Sequence, residues 1–446
     1  MGLYAKWMYA WETALTMRDS NRVVRPVEWG FDWLSDFIAE RGLQAQIFGA
    51  GEHLPPTGEV ADPETHPAEY EFADRAMRAL NAEIIRHSDD FFGYRTPADF
   101  RLEARPPQLF PTNVRPETLA KDERLRQRAE DGRLQPAEFL RFTSPVRSPY
   151  PENDLVNARW FPASPEKQAG RPKQAMIVMP QWNADAFSHN ALCSLFNRFG
   201  ISALRLSKPY HDIRRPAELE RSDYAVSSNI GRTMAACRQA VVDIRSCLDW
   251  LEAQGYEQFG VLATSLGSCY AFMAAAHDPR LRVGVFNHAA PCFGDVVWTG
   301  QSTRHIRAAF EAVMTQDHLR ELWSAISPLY YMERFASTPK RVLMIHAKYD
   351  LTFLPQFSEE VLRNFAAHGI DYVSKVLPCG HYTTGETPYK FIDGWWMGSF
   401  VHSAFKALAK EPRLPLHRSD SVPHGGADHG PQEELASIGT RPNREL

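Results

Sequence analysis

The chain has 446 residues, of which 44% are hydrophobic and 23% charged, with a formal charge of −4. That length supports a large core and more than one structural unit. The near-neutral charge excludes the broad basic field of a nucleic-acid-binding surface, and no stretch approaches the roughly 18 apolar residues of a membrane span.

The opening run Met-Gly-Leu-Tyr-Ala-Lys has no secretory apolar segment. Lys6 stands where a myristoylation motif needs Ser or Thr. A soluble, cytoplasmic protein is the expectation. Residues 1–135, rich in charge, Trp and Pro, predict an N-terminal helical extension layered on the main domain. Helices are expected around 29–40 and 71–87, the second with Phe72, Met77, Leu80, Ile84 and Ile85 at helical spacing. Residues 52–66 and 105–115 read as loops. Neither repeat nor catalytic motif occurs in this region.

From 136 to 410 short β-rich runs alternate with helices. Residues 138–143 and 155–161 read as a strand pair. Residues 174–179 (QAMIVM) form a continuous apolar run, as expected of a strand buried on both faces. A helix over 186–199 stops at Gly200 and is followed by a strand over 201–206. A long helix over 227–253 comes next, with Gly255 beyond it. Strands over 259–263, 283–287, 341–346 and 372–377 then alternate with helices over 268–277, 356–368 and 389–408. The pattern implies an α/β fold with a doubly wound, mostly parallel sheet. Residues 291–335 read as a cap-like, mostly helical insertion. Its aromatics (Phe293, Trp298, Trp323, Tyr330, Tyr331) fit an acyl pocket and plain core equally well. From 411 to 446 Pro, Gly, His and charge dominate, and a disordered tail is expected. His424 and His429 in that tail read as solvated side chains, so no metal is expected.

The six cysteines (Cys193, Cys237, Cys247, Cys269, Cys292, Cys379) are scattered, without a C-x-x-C pair, and read as reduced thiols. No cofactor motif is present.

The strand over 259–263 runs into Ala263-Thr264-Ser265-Leu266-Gly267 and then a helix, the layout of a nucleophile elbow with Ala in the first position. A nucleophile on so sharp a turn needs small residues two before and two after it, and Ala263 and Gly267 meet that need. A serine hydroxyl also needs a base. The strand over 341–346 leads to Asp350, and the last strand ends in Pro378-Cys379-Gly380-His381. The expected roles are Ser265 as nucleophile, His381 as base and Asp350 as orienting acid, with Asp295 in reserve for the acid. Oxyanion donors are expected in the backbone N–H of Leu266 and, from the loop after strand 174–179, that of Trp182, with Gln181 second. Arg214 and Arg215, in the loop after strand 201–206, are candidates for binding an anionic part of a substrate; an ordinary basic pair making local salt bridges is the competing reading.

With these residues in view the chain resembles the alpha/beta hydrolases. Within them it resembles the branch typified by the animal abhydrolase domain-containing protein eighteen and its bacterial relatives. The resemblance spans about residues 138–408. It rests on Phe142-Thr143-Ser144-Pro145, the loop from Lys208-Pro209-Tyr210 to Arg214-Arg215-Pro216, Arg221-Ser222, the Ser265 pentapeptide, Ala347-Lys348-Tyr349-Asp350 and Gly380-His381. Pro180-Gln181-Trp182 departs from the His-Gly of many hydrolases. The resemblance implies hydrolysis of a small-molecule or lipid-like ester. Acyl transfer to another acceptor, or a non-catalytic hydrolase-fold binding protein, are the alternatives.

Overall fold

The computed structural model describes residues 2–49 and 58–411. The expected tail, with His424 and His429, lies outside the described residues apart from residue 411, as does most of the first half of the loop expected at 52–66.

Among the described residues nine strands form one sheet in the order β1-β2-β3-β5-β4-β6-β7-β8-β9. They are β1 (Arg101–Arg105), β2 (Ala137–Thr143), β3 (Leu155–Phe161), β4 (Gln174–Met179), β5 (Ile201–Leu206), β6 (Gln258–Thr264), β7 (Leu281–Asn287), β8 (Arg341–Ala347) and β9 (Asp371–Leu377). The pairs β1–β2, β2–β3 and β3–β5 are antiparallel, and the remaining five are parallel. This is the doubly wound, mostly parallel sheet that the sequence implied, with an antiparallel edge. The helices that position the site are α1 (Leu3–Thr16), α2 (Pro67–Arg86), α3 (Asn190–Arg198), α4 (Ile230–Ala253), α5 (Leu266–His277), α6 (Pro355–Ala367) and α7 (Tyr389–Leu408). None of the described helices is long and apolar enough to cross a membrane.

Successive side chains of a strand point to opposite faces. Accordingly Ala175, Ile177 and Met179 of β4 enter one core, with Val241 and Ile244 of α4, Met273 of α5 and Val361 of α6. Met176 and Val178 enter the other, with Leu192 and Phe196 of α3 and Val401 and Phe405 of α7. Both faces are covered, which explains why β4 reads as one unbroken apolar run.

The first 135 residues share these cores. Trp29, Phe31, Phe37, Leu80 and Ile84 belong to the first, and Met8 of α1 to the second. The helix expected over 29–40 is a 3₁₀ turn (Phe31–Leu34) running into Ser35–Glu40, and the one expected over 71–87 is α2. The sequence pattern did not anticipate α1, the helix Pro116–Glu130 or the edge strand β1. All six cysteines are free thiols.

The anchor for this region is the start of α4. Asn229 caps that helix, its side chain accepting from Arg232 N at 2.8 Å while donating to Glu28 at 2.7 Å. Gly231 N donates to Trp29 O at 3.0 Å. The two backbones approach so closely that a Cβ on Gly231 would fall 1.8 Å from Gly30 O. Gly231→Ala is therefore expected to lower the unfolding free energy by about 2 kcal/mol, read as a lower urea midpoint. An unchanged midpoint would show that this junction does not hold the N-terminal segment.

Candidate active site

The parallel strands all deliver their next loop to one edge of the sheet. β6 ends directly at Ser265, whose φ of 58° and ψ of −123° place a non-glycine residue in strained backbone. The strain is held from two sides. Ser265 N donates to Asn287 O at 2.7 Å. Gly267 allows α5 to sit against the end of β4, where a Cβ would meet Met179 O at 2.8 Å and Pro180 O at 3.0 Å. A larger residue at 267 would push the turn away from the neighbouring loop.

Ser265 Oγ lies 3.0 Å from His381 Nε2, and His381 Nδ1 lies 3.0 Å from Asp350 Oδ2. The ring of Phe353 stacks on His381 with centroids 5.3 Å apart. Asp350 is 1% exposed. Its Oδ1 accepts from Thr352 N and Phe353 N, both at 2.7 Å. Burial pushes this carboxyl up, but the charge of His381 and the bonds from His288 and His381 hold it well below the usual carboxylate range. For His381 burial disfavours the charged ring; the Asp350 charge and hydrogen bond and the charge of Glu12 outweigh it and raise the pKa.

Two residues in this group carried no signal in the sequence. His288, the residue after β7, has a left-handed φ of 60° and brings Nδ1 within 2.9 Å of Asp350 Oδ2. Burial, with the charge of His381, lowers its pKa and keeps it neutral. Glu12 comes from α1. Its carboxylate accepts from Tyr382 N at 2.7 Å, Thr383 N at 3.0 Å and the Thr383 hydroxyl at 3.1 Å. It thereby clamps the loop that carries His381. Only contacts across 370 residues of chain make its place visible. His288, Asp350 and His381 offer ligand atoms all within 4.8 Å of one another, close enough to share a cation; the contacts just described engage those same atoms.

The loop after β4 is fastened from beneath. Lys208, fully buried, donates to Pro180 O at 2.8 Å and Gln181 O at 2.9 Å. The Trp182 indole N–H donates to Ser222 O at 2.9 Å. Trp182, Ser265 and Leu266 border one small cavity of about 50 Å³, lined elsewhere mainly by apolar residues such as Val226, Phe293 and Val297. Leu266 opens α5, so its amide belongs to the first turn, where backbone N–H groups have no intrahelical partner.

The other expected site residues lie elsewhere. Asp295 is held by Arg320, with Nε 3.0 Å from each carboxylate oxygen, and does not approach His381. Arg214 is a correction: it is fully buried, paired with Asp243 at 2.8 Å, and donates to Asn153 O and Ser207 O. No substrate reaches a guanidinium so enclosed. Arg215 donates to Pro111 O and Glu220 O, away from the cavity lining. Removing one partner of a buried pair leaves the other charge uncompensated. Arg214→Ala should thus destabilise the fold by about 3–5 kcal/mol in urea unfolding. An unaltered stability with a selective loss of anionic-ester turnover would restore the substrate-binding role.

No protein-family model and no curated protein matches this sequence. Among solved structures, the chain is similar to the acylaminoacyl peptidase of Pyrococcus horikoshii at 10% identity and a TM-score of 0.44, covering 69% of this chain and 48% of that one. It is also similar to acetyl xylan esterase 1 from Thermoanaerobacterium sp. JW/SL YS485 (15%, 0.46, covering 72% and 93%). A third is the acetyl xylan esterase from Paenibacillus sp. R4 (12%, 0.47, covering 77% and 96%). The chain spans about half the length of the peptidase.

Proposed function

We propose that the protein is a serine hydrolase cleaving a small carboxylic ester through an acyl-enzyme on Ser265, in keeping with the resemblance to the abhydrolase eighteen branch. The observation that carries this reading is the unbroken chain from Ser265 Oγ to His381 and on to Asp350, each link at 3.0 Å. Nε2 of His381 takes the hydroxyl proton as Oγ bonds to the substrate carbonyl carbon, then returns it to the departing alkoxide oxygen. Water repeats the sequence to release the acid. Asp350 holds the Nδ1–H tautomer and balances the imidazolium. The backbone N–H groups of Leu266 and Trp182 are the proposed donors to the oxyanion.

Cavity size supports a short acyl group. On the same measure one water needs about 10–15 Å³, so about 50 Å³ holds a chain of only a few carbons. A fluorophosphonate should label the wild-type protein and leave Ser265→Ala unlabelled, and turnover of acetyl esters should fall on the order of 10⁴-fold or more in that variant. Equal labelling of the two proteins would remove Ser265 as nucleophile. Decanoyl esters turned over faster than acetyl esters would remove the short-acyl reading.

The base must be neutral to accept a proton. Because His381 is raised above its ordinary 6.5, kcat/KM should rise with pH through a limb centred above that value. Glu12→Gln removes one of the charges that favours the imidazolium, so the limb should move toward acid. A limb that stays in place in that variant would show that Glu12 exerts no field on His381.

A further inference from the structure

The cavity is bordered on one side by Ser302 and Thr303, and that turn carries a group of cations the hydrolytic reading leaves unused. The Arg22 guanidinium donates to Ser302 O. Arg304 follows Thr303 directly and lies within electrostatic range of Tyr382, the neighbour of His381. Arg221 sits 5.4 Å from the centroid of the Trp182 ring. His305 stacks on the same ring, centroids 6.0 Å apart and planes 6° from parallel. Arg22 thus contacts the cavity-lining Ser302, Arg221 and His305 contact the cavity-lining Trp182, and Arg304 follows the cavity-lining Thr303 in the chain.

Their charges are incompletely balanced. Asp19 is shared among Arg22 at 4.0 Å, Arg115 at 3.8 Å and Arg221 at 3.4 Å, and Asp223 adds a second contact to Arg221 at 3.2 Å. Arg304 donates to Gln301 O at 3.1 Å, and among the described residues no carboxylate stands within ion-pair distance of it. His305 is 6% exposed, and among the described residues neither of its ring nitrogens has a hydrogen-bond partner. Burial and the charges of Arg22, Arg221 and Arg304 push its pKa down to about 3, so the ring stays neutral and keeps one donor and one acceptor. A buried polar ring is costly to the fold unless water or a polar ligand pairs with it.

We infer that this rim is an oxyanion-binding subsite that seats a carboxylate-type group on the alcohol portion of the ester while the acyl group occupies the apolar cavity. The inference rests on the Ser265 reading for which bond is cleaved; the anion binding itself does not. Arg304 supplies the free charge, with Arg22 and Arg221 adding to the field at the rim. The loop that suggested an anion site in the sequence, at Arg214 and Arg215, is not involved.

A matched pair of substrates tests it: 4-acetoxybenzoate, which is anionic, and its neutral methyl ester. Wild type should favour the anionic ester in kcat/KM. In Arg304→Gln that selectivity ratio should fall about tenfold, mostly through KM. Added salt should lower the ratio in the wild type far more than in the variant. The same ratio in both proteins would overturn the subsite. Calorimetry on the Ser265→Ala protein separates this from the hydrolase reading, since it requires no turnover. There 4-hydroxybenzoate should bind more tightly than methyl 4-hydroxybenzoate, and Arg304→Gln on that background should abolish the difference. Arg304-dependent binding without turnover of either ester by the wild type keeps the subsite and removes the hydrolase. Turnover of both esters with no preference for the acid overturns the subsite alone.

Discussion

A carboxylate at the depth of Asp350, 1% exposed, survives in its charged form only if its oxygens are fully served. One oxygen takes two backbone amides, Thr352 and Phe353. The other faces His381 and His288. The amides fix the carboxylate in space because they belong to the turn immediately after it. The carboxylate then fixes His381, since only a ring with its proton on Nδ1 satisfies it. The lone pair on Nε2 is left toward Ser265. The orientation of the proposed base is thus decided by the end of β8, two strands away in the sheet from the strand carrying the serine.

That arrangement constrains only one side of the His381 loop. The loop leaves β9, a strand whose residues are mostly exposed or half-exposed, so the sheet gives it little support. Glu12 supplies the other side. Its carboxylate is buried, and burial raises its pKa despite the backbone donors that favour the charge. The close approach is possible because residue 380 is glycine; a Cβ there would fall 2.4 Å from Glu12 Oε2. The N-terminal helix therefore belongs to the site's framework, and its buried stripe is Met8, Glu12 and Thr16. Four-residue spacing puts these three on one face.

This stripe shows why part of the molecule was not legible in the sequence. β4 through β8 are runs of apolar residues buried on both faces, and their boundaries are readable within a residue or two. The order of Ser265, Asp350 and His381 follows from strands that each end in a polar loop. The face of α1 that matters holds one apolar residue of three, while Leu3 and Trp7 point to solvent, so hydrophobic periodicity misplaces it. The helix Pro116–Glu130 buries only Asp122 and has no apolar stripe to find. β1 reads Arg-Leu-Glu-Ala-Arg, with no buried residue, and is a strand because it pairs with β2 at the sheet edge. Glu12 and His288 act through contacts between distant segments, which no local pattern encodes.

The arginines make the same point from the side of charge. Arg214 follows a strand and Arg304 a cavity-lining turn; the loop pattern pointed to Arg214 as an anion binder and gave no signal for Arg304. Their partners separate them. Asp243 stands 2.8 Å from Arg214 and both side chains are fully buried, so the charge of Arg214 is matched within the fold. Among the described residues Arg304 bonds only a carbonyl of its own turn, and it remains half-exposed beside Ser302 and Thr303. A guanidinium is charged at any accessible pH, so its availability to a ligand depends on whether a carboxylate already holds it. A pair of adjacent basic residues in a loop is ambiguous for that reason, and the location of the acidic residues, set by the tertiary fold, resolves it.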